Sequence, residues 1–305
     1  MGTMLNSMFL FAATALLLAT PASADEIPDN LERLTPSTDW NIDFGEESCR
    51  LARVFGEGDD KHLLFIEQSG PSENFSLTLA GPRLKRFKQI ITRLGLEKDE
   101  GFPQVYSDPA EVVGYGTAEV FASLEINDAK DDNGDELRTV PQIDLDEAAT
   151  IDRVVFGHGG YALSFETGNM APPLQALNVC AADFVRAWGL DAEKHQSLRK
   201  LAYWKNEGEV ARRIQKKYTQ SAVNRGEQAN IRMRVIVEAD GSVSDCKLYD
   251  ATETDRLKSN ACDEMARAEF EPAIDAAGNP MRSFHMTNIM YRIFGASSDG
   301  TRPRL

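Results

Sequence analysis

Apolar and polar positions along the chain follow two periods, and the switches between them lay out the elements. Period two comes first. Trp40-Asn41-Ile42-Asp43-Phe44 alternates, Cys49 to Phe55 carries Leu51, Val54 and Phe55, and His62 to Gln68 reads as a buried strand. Phe75-Ser76-Leu77-Thr78-Leu79 and Thr117 to Ile126 alternate again, and Ile151 to Phe156 with Tyr161 to Phe165 reads as a hairpin across Gly157-His158-Gly159-Gly160. Gly81-Pro82 breaks the run. After it Leu84, Phe87, Ile90, Ile91 and Leu94 fall at helical spacing, so 83–94 is expected to be a helix with a solvated Arg/Lys face. Pro172-Pro173 opens a second helix with Leu174, Leu177, Cys180, Ala181, Phe184 and Trp188 along one face and Gly189 as its stop. Strands in succession with at least two helices predict an α+β domain with an antiparallel sheet over 40–198.

Beyond it, 199–208 reads as a linker and 209–224 as an Arg/Lys-rich helix ended by Gly226. Strands over 228–238 and 242–249 are joined at Ala239-Asp240-Gly241, where Asp-Gly supplies the turn a tight hairpin needs. A helix over 255–268 and a last strand over 284–294 follow, then a polar tail, 295–305.

The ends and the charge add a location and a division. Residues 1–24 carry no charged side chain, Met8 to Leu18 is almost wholly apolar, and Pro21-Ala22-Ser23-Ala24 has the A-x-A form of a signal-peptide cleavage site. Export with cleavage after Ala24 is therefore expected, with 25–39 as an extended polar leader. The alternative is a retained inner-membrane anchor, but the apolar stretch falls short of the roughly 20 residues a bilayer span needs. Residues 25–198 hold 33 acidic and 15 basic side chains, net −18; residues 199–305 hold 15 and 18, net +3. The split marks two units with different surfaces. An acidic body disfavours nucleic acid and anionic lipid as partners, because both are polyanions.

Four cysteines, Cys49, Cys180, Cys246 and Cys262, allow three pairings in an exported chain. The pairing 49–180 with 246–262 keeps each bridge within one unit and is the expected one. No other grouping of reactive residues points to catalysis. The histidines, His62, His158, His195 and His285, are scattered. His158 lies among glycines that suit an oxyanion loop, but no G-x-S-x-G elbow accompanies it. No H-E-x-x-H, Walker loop or dinucleotide motif is present, so no cofactor, no metal and no enzymatic activity are expected. The acidic turn 128–136 has an Asn133-Gly134 hairpin signal. As a calcium loop it would place Ala129 and Val140 where oxygen ligands are required.

Gly226, the alternating strand 231–237, Asp240-Gly241-Ser242-Val243, Leu257, Phe270-x-Pro272-Ala273, Gly278-x-Pro280-Met281 and Ile289-x-Tyr291-x-Ile293 occur in that order. With these residues 209–294 resembles the TonB C-terminal domain family. The resemblance implies a small module of three antiparallel strands and two helices that binds a partner by adding a strand to its sheet. It implies the last strand as the binding edge, with His285, Thr287, Ile289, Tyr291 and Ile293 along it. The family's energy transducers need a retained anchor and a long Pro-rich spacer, whereas this chain has an acidic unit in the spacer's place. The expected function is therefore a non-enzymatic periplasmic binding or adaptor protein whose partner is a cell-envelope protein or peptide. The alternatives are an anchored energy transducer serving outer-membrane transport and a periplasmic hydrolase.

Overall fold

The computed structural model describes residues 27, 31–87, 91–96, 102–126, 139–158, 160–250 and 259–291. The signal segment, the acidic turn with its calcium-loop reading, Leu257, Ile293 and the polar tail lie outside them.

The fold is α+β. In the N-terminal unit a six-stranded antiparallel sheet runs Asn41–Phe44, Cys49–Phe55, His62–Gln68, Phe75–Ala80, Gly116–Leu124, Asp108–Val112 in spatial order. A second, five-stranded sheet runs Glu32–Leu34, Tyr161–Phe165, Val154–His158, Ile91–Gly95, Gln104–Tyr106. The alternation seen in the sequence is what joins them. Leu51, Phe55, Leu64, Ile66, Leu77 and Leu79 of the first sheet share one core with Phe156, Leu163 and Phe165 of the second. Phe55 meets Phe165 edge-on at 5.2 Å, and Phe121 meets Phe156 at 6.0 Å. The long helix Ala171–Ala187 closes the core with Leu174, Leu177 and Phe184, and Cys180 on it lies at disulfide distance from Cys49, 1.95 Å between sulfurs.

Three expectations are corrected here. Residues 83–94 are not one helix: a short 3-10 turn, Pro82–Arg86, gives way to the strand Ile91–Gly95. Leu84 and Phe87 are one 3-10 turn apart. The β-branched run Ile90-Ile91-Thr92 then favours extended backbone. Two of its basic side chains have partners: Arg83 binds Asp60 at 3.0 Å and Glu32 at 2.9 Å, and Arg86 lies 4.8 Å over Tyr161. The described part of the leader, 31–39, is woven in, since Glu32–Leu34 pairs parallel with Leu163 to Phe165 and Leu34 is buried. The linker 199–208 belongs to the C-terminal unit. Leu198–Lys200 pairs with Ala273–Asp275, and Tyr203–Trp204 with Phe270–Glu271. Leu198, Ala202 and Trp204 are buried there, and Trp204 stacks on Phe270 at 5.7 Å.

The C-terminal unit is built on a three-stranded antiparallel sheet, Val243–Asp250, Ala229–Val237, Ser283–Tyr291, with Ala229–Val237 in the centre. The helix expected over 209–224 is two, Glu207–Lys216 and Gln220–Asn224, broken where Thr219 turns extended and caps the second through Ala222. Of the helix expected over 255–268, residues 259–268 are described, and only Ala261–Met265 is helical there. Cys262 on it lies at disulfide distance from Cys246, 2.05 Å between sulfurs.

Candidate functional site

The central strand Ala229–Val237 is buried on both faces. Ile231, Met233, Val235 and Val237 enter the module's own core beside Val210, Ile214, Met265 and Phe270. Period two sends Arg232, Arg234 and Ile236 the other way, onto the N-terminal unit. There Arg50, Glu67 and Ser76 stand side by side across three neighbouring strands. Arg232 donates from Nη1 to Glu67 Oε1 at 2.9 Å and Ser69 Oγ at 3.0 Å, and from Nη2 to Ser76 Oγ. Arg50 donates to the other Glu67 oxygen. Burial pushes the Glu67 carboxyl up, but Arg232 and Arg50 outweigh it and hold it below the usual range.

Around this ion pair the contact is apolar and close. Arg234 lies 4.9 Å over the Trp188 ring and pairs with Asp245, while Phe284 meets Trp188 edge-on at 5.1 Å. Gly70, in the buried turn after His62–Gln68, fits beneath them. A Cβ there would lie 2.4 Å from Trp188 Cη2 and 2.6 Å from Met286 Sδ. Gly70→Ala is therefore expected to wedge the two units apart and lower stability by about 1–3 kcal/mol, measured by urea unfolding.

The last strand, Ser283–Tyr291, pairs along one side with the central strand, and no strand among the described residues pairs with its other side. A cleft of about 290 Å³ opens beside Met286, Thr287 and Asn288. Its far wall is N-terminal, formed by Glu67 to Gly70, Ser72, Asn74 and Ser123. The N-terminal unit thus covers the face of the module's sheet and leaves a groove at its edge. A backbone edge with unpaired donors and acceptors can take up an extended chain.

The residues expected along that edge divide. Thr287 lines the cleft. His285 packs instead against Phe270 at 5.3 Å and Trp204 at 6.0 Å, and burial pushes its imidazole pKa down. Ile289 and Tyr291 also pack on the module's core, and Tyr291 shares a 2.9 Å hydrogen bond with Ser259. The other side chains that turn to the cleft from this strand are those of Met286 and Asn288, facing the N-terminal wall. Sequence reasoning missed that wall. The one trace of it was a run of small polar residues, Ser69-Gly70-Pro71-Ser72, which reads equally well as an ordinary turn.

Two of the other histidines have structural partners. His62 is buried, faces the Asp60 carbonyl through Nδ1 and accepts from the Arg83 amide at Nε2. His195 bonds the Asp191 carbonyl at 2.6 Å through Nδ1 and Ser283 Oγ at 2.9 Å through Nε2. That polarity matches a nucleophile and its base, yet both residues are 1 % exposed, so the pair pins the junction rather than meeting a substrate. His158 ends a strand, exposed, with Tyr161 opposite it. Among the described residues no group of three His, Cys, Asp or Glu is placed to hold a metal, and no helix is long and apolar enough to cross a membrane.

A three-stranded sheet backed by short helices makes this unit a small α/β module. Residues 214–293 match the family described as Gram-negative bacterial TonB protein C-terminal. That segment is similar to the family's module and makes up about a quarter of the chain. Neither a curated protein nor a solved structure gives a match.

Proposed function

We propose that the chain is a non-enzymatic binding protein of the envelope, exported to the periplasm with cleavage after Ala24. Its module takes up an extended segment of an envelope protein or peptide as a fourth strand along Ser283–Tyr291. The observation that carries this reading is the free strand edge fronting a cleft, in a segment matching the TonB C-terminal family. Main-chain hydrogen bonds along the edge supply affinity, and side chains alternating to either side supply selectivity. Where a transducer would need a spacer, the described residues between 31 and 198 form a domain packed on the module, which supports an adaptor over an anchored transducer.

A photoreactive phenylalanine analogue at Thr287 should crosslink the exported chain to a discrete envelope species. The same group at Val113, 81 % exposed on the N-terminal unit, should not. Equal crosslinking at both positions, or none at Thr287, would count against the proposal. Sequencing the mature N-terminus separates the two locations: Asp25 supports a free periplasmic protein, and a retained Met1 supports the anchored transducer.

A further inference from the structure

The charges that line the cleft are already paired, and its open groups are neutral. Glu67 and Arg232, the two ionisable residues of the lining, bind each other at 2.9 Å. Glu67 also holds Arg50, and Arg232 also holds Ser69 and Ser76. On the module's side, Thr287 and Asn288 are partly exposed, and their side chains make no hydrogen bond among the described residues. Opposite them, Asn74 Oδ1 accepts from Ser123 at 3.1 Å, which leaves its Nδ2 to donate. The Ser72 hydroxyl accepts from the Asn74 amide at 2.9 Å and keeps its own proton to donate.

The N-terminal groups are held in place. Gln68 Nε2 donates to the carbonyls of Ser72 at 2.8 Å and Asn74 at 3.1 Å, which fixes the turn that carries both residues. A wall set in advance loses little freedom on binding. Gly70, Phe75, Ala122 and Met286 complete the lining with apolar surface. The volume, about 290 Å³, lies at the small end of ligand sites, which start at roughly 300 Å³. An ion would enter without a counter-charge, and an apolar molecule would bury the open hydroxyls and amides unpaired. The lining fits a small neutral molecule whose several polar groups each donate and accept around a C–H face. A sugar ring has that distribution, whereas one amide or hydroxyl side chain would reach only part of it.

We infer that the cleft between the two units binds one ring of a neutral sugar. Thr287 and Asn288 bind its hydroxyls from the module, Ser72 and Asn74 bind them from the N-terminal wall, and Met286 meets its C–H face. The site needs both units, since two of these residues lie outside the matched segment 214–293. It goes beyond strand addition at Ser283–Tyr291 and does not depend on it, because the sugar takes the cleft and not the backbone edge.

The test is titration of the full chain, by calorimetry and saturation-transfer NMR, with glucose, galactose, mannose, N-acetylglucosamine and glucuronate. Short oligomers of the neutral sugar that binds best follow. At least one neutral sugar should bind saturably, one per chain. Glucuronate brings an unpaired charge and should bind about tenfold more weakly than the best neutral sugar. Asn288→Ala and Asn74→Ala should each lower affinity about tenfold, the effect of one lost hydrogen bond, and Val113→Ala should leave it unchanged. If Asn74→Ala does not fold, Thr287→Val should show the same loss. An oligomer no tighter than its monomer marks the ligand as a free sugar, and a gain of about tenfold marks it as one unit of a glycan. No saturable binding by any neutral sugar, tighter binding of glucuronate, or affinity unchanged in the Asn288 and Asn74 variants would overturn the inference. Strand addition is read separately, by the crosslink at Thr287, so either can fail alone.

Discussion

Replacing both Cys49 and Cys180 by alanine is expected to cost about 5 kcal/mol, because their bridge closes a loop of 131 residues and its loss frees that much chain in the unfolded state. Both residues are buried in the core, one on the second strand of the six-stranded sheet and one on the long helix. No other covalent link ties that helix to the sheet, and Trp188 at its C-terminal end is half of the apolar junction with the module. The loss is comparable with the whole stability of many domains. Urea unfolding of the double variant should show an N-terminal unit close to its midpoint in buffer, with the module's signals less affected. Removing Cys246–Cys262, which spans 16 residues, should cost about 3 kcal/mol and act within the module. A double variant of Cys49 and Cys180 within 1 kcal/mol of the unaltered chain would show that the bridge does not form.

The second large effect is at the junction. Arg232→Met should destabilise the chain by about 3 kcal/mol, the lower end for breaking a buried pair, because Glu67 keeps Arg50. Glu67→Gln should cost a similar amount by leaving the guanidinium buried beside two hydroxyls. The double variant should cost less than the sum of the two, the sign of a direct coupling. The pair also carries a pH dependence with a definite sign. The folded pKa of Glu67 lies below its unfolded value near 4.5, so its contribution is complete above that pH. It is lost as pH falls through the lower folded value. Unfolding midpoints against pH for the unaltered chain and Glu67→Gln should converge in acid. Parallel curves down to pH 3 would mean the carboxylate is not held by the arginines.

The strands were legible where one face is apolar and the other polar, and this follows from how sheets bury side chains. Cys49–Phe55 and the central strand near 229–237 lie where their apolar pattern puts them, and His62–Gln68 where its apolar run does. The helix over 83–94 misled because five apolar positions fit a 3.6-residue period, while the β-branched residues among them prefer extended backbone. The short strands Leu198–Lys200 and Tyr203–Trp204 were illegible, since two or three residues carry no period and their shape comes from the Phe270–Asp275 corner they pair with. At the site, the sequence identifies the edge strand through its family resemblance, but it does not show which face is covered. Arg232, Glu67 and Ser76 look like solvent-facing positions of half-buried strands. Only the docking of one sheet on another buries them, and with them places Gln68 beside the open edge.

Residue-resolved amide exchange of the chain, alone and with the species crosslinked at Thr287, tests the central claim most directly. In the free chain the central strand Ala229–Val237 should be protected throughout, while roughly every second amide of Ser283–Tyr291 exchanges quickly from the open edge. Binding should slow those same amides until the last strand is protected like the central one. Fast exchange that persists at saturation, with protection appearing elsewhere, would contradict strand addition at this edge.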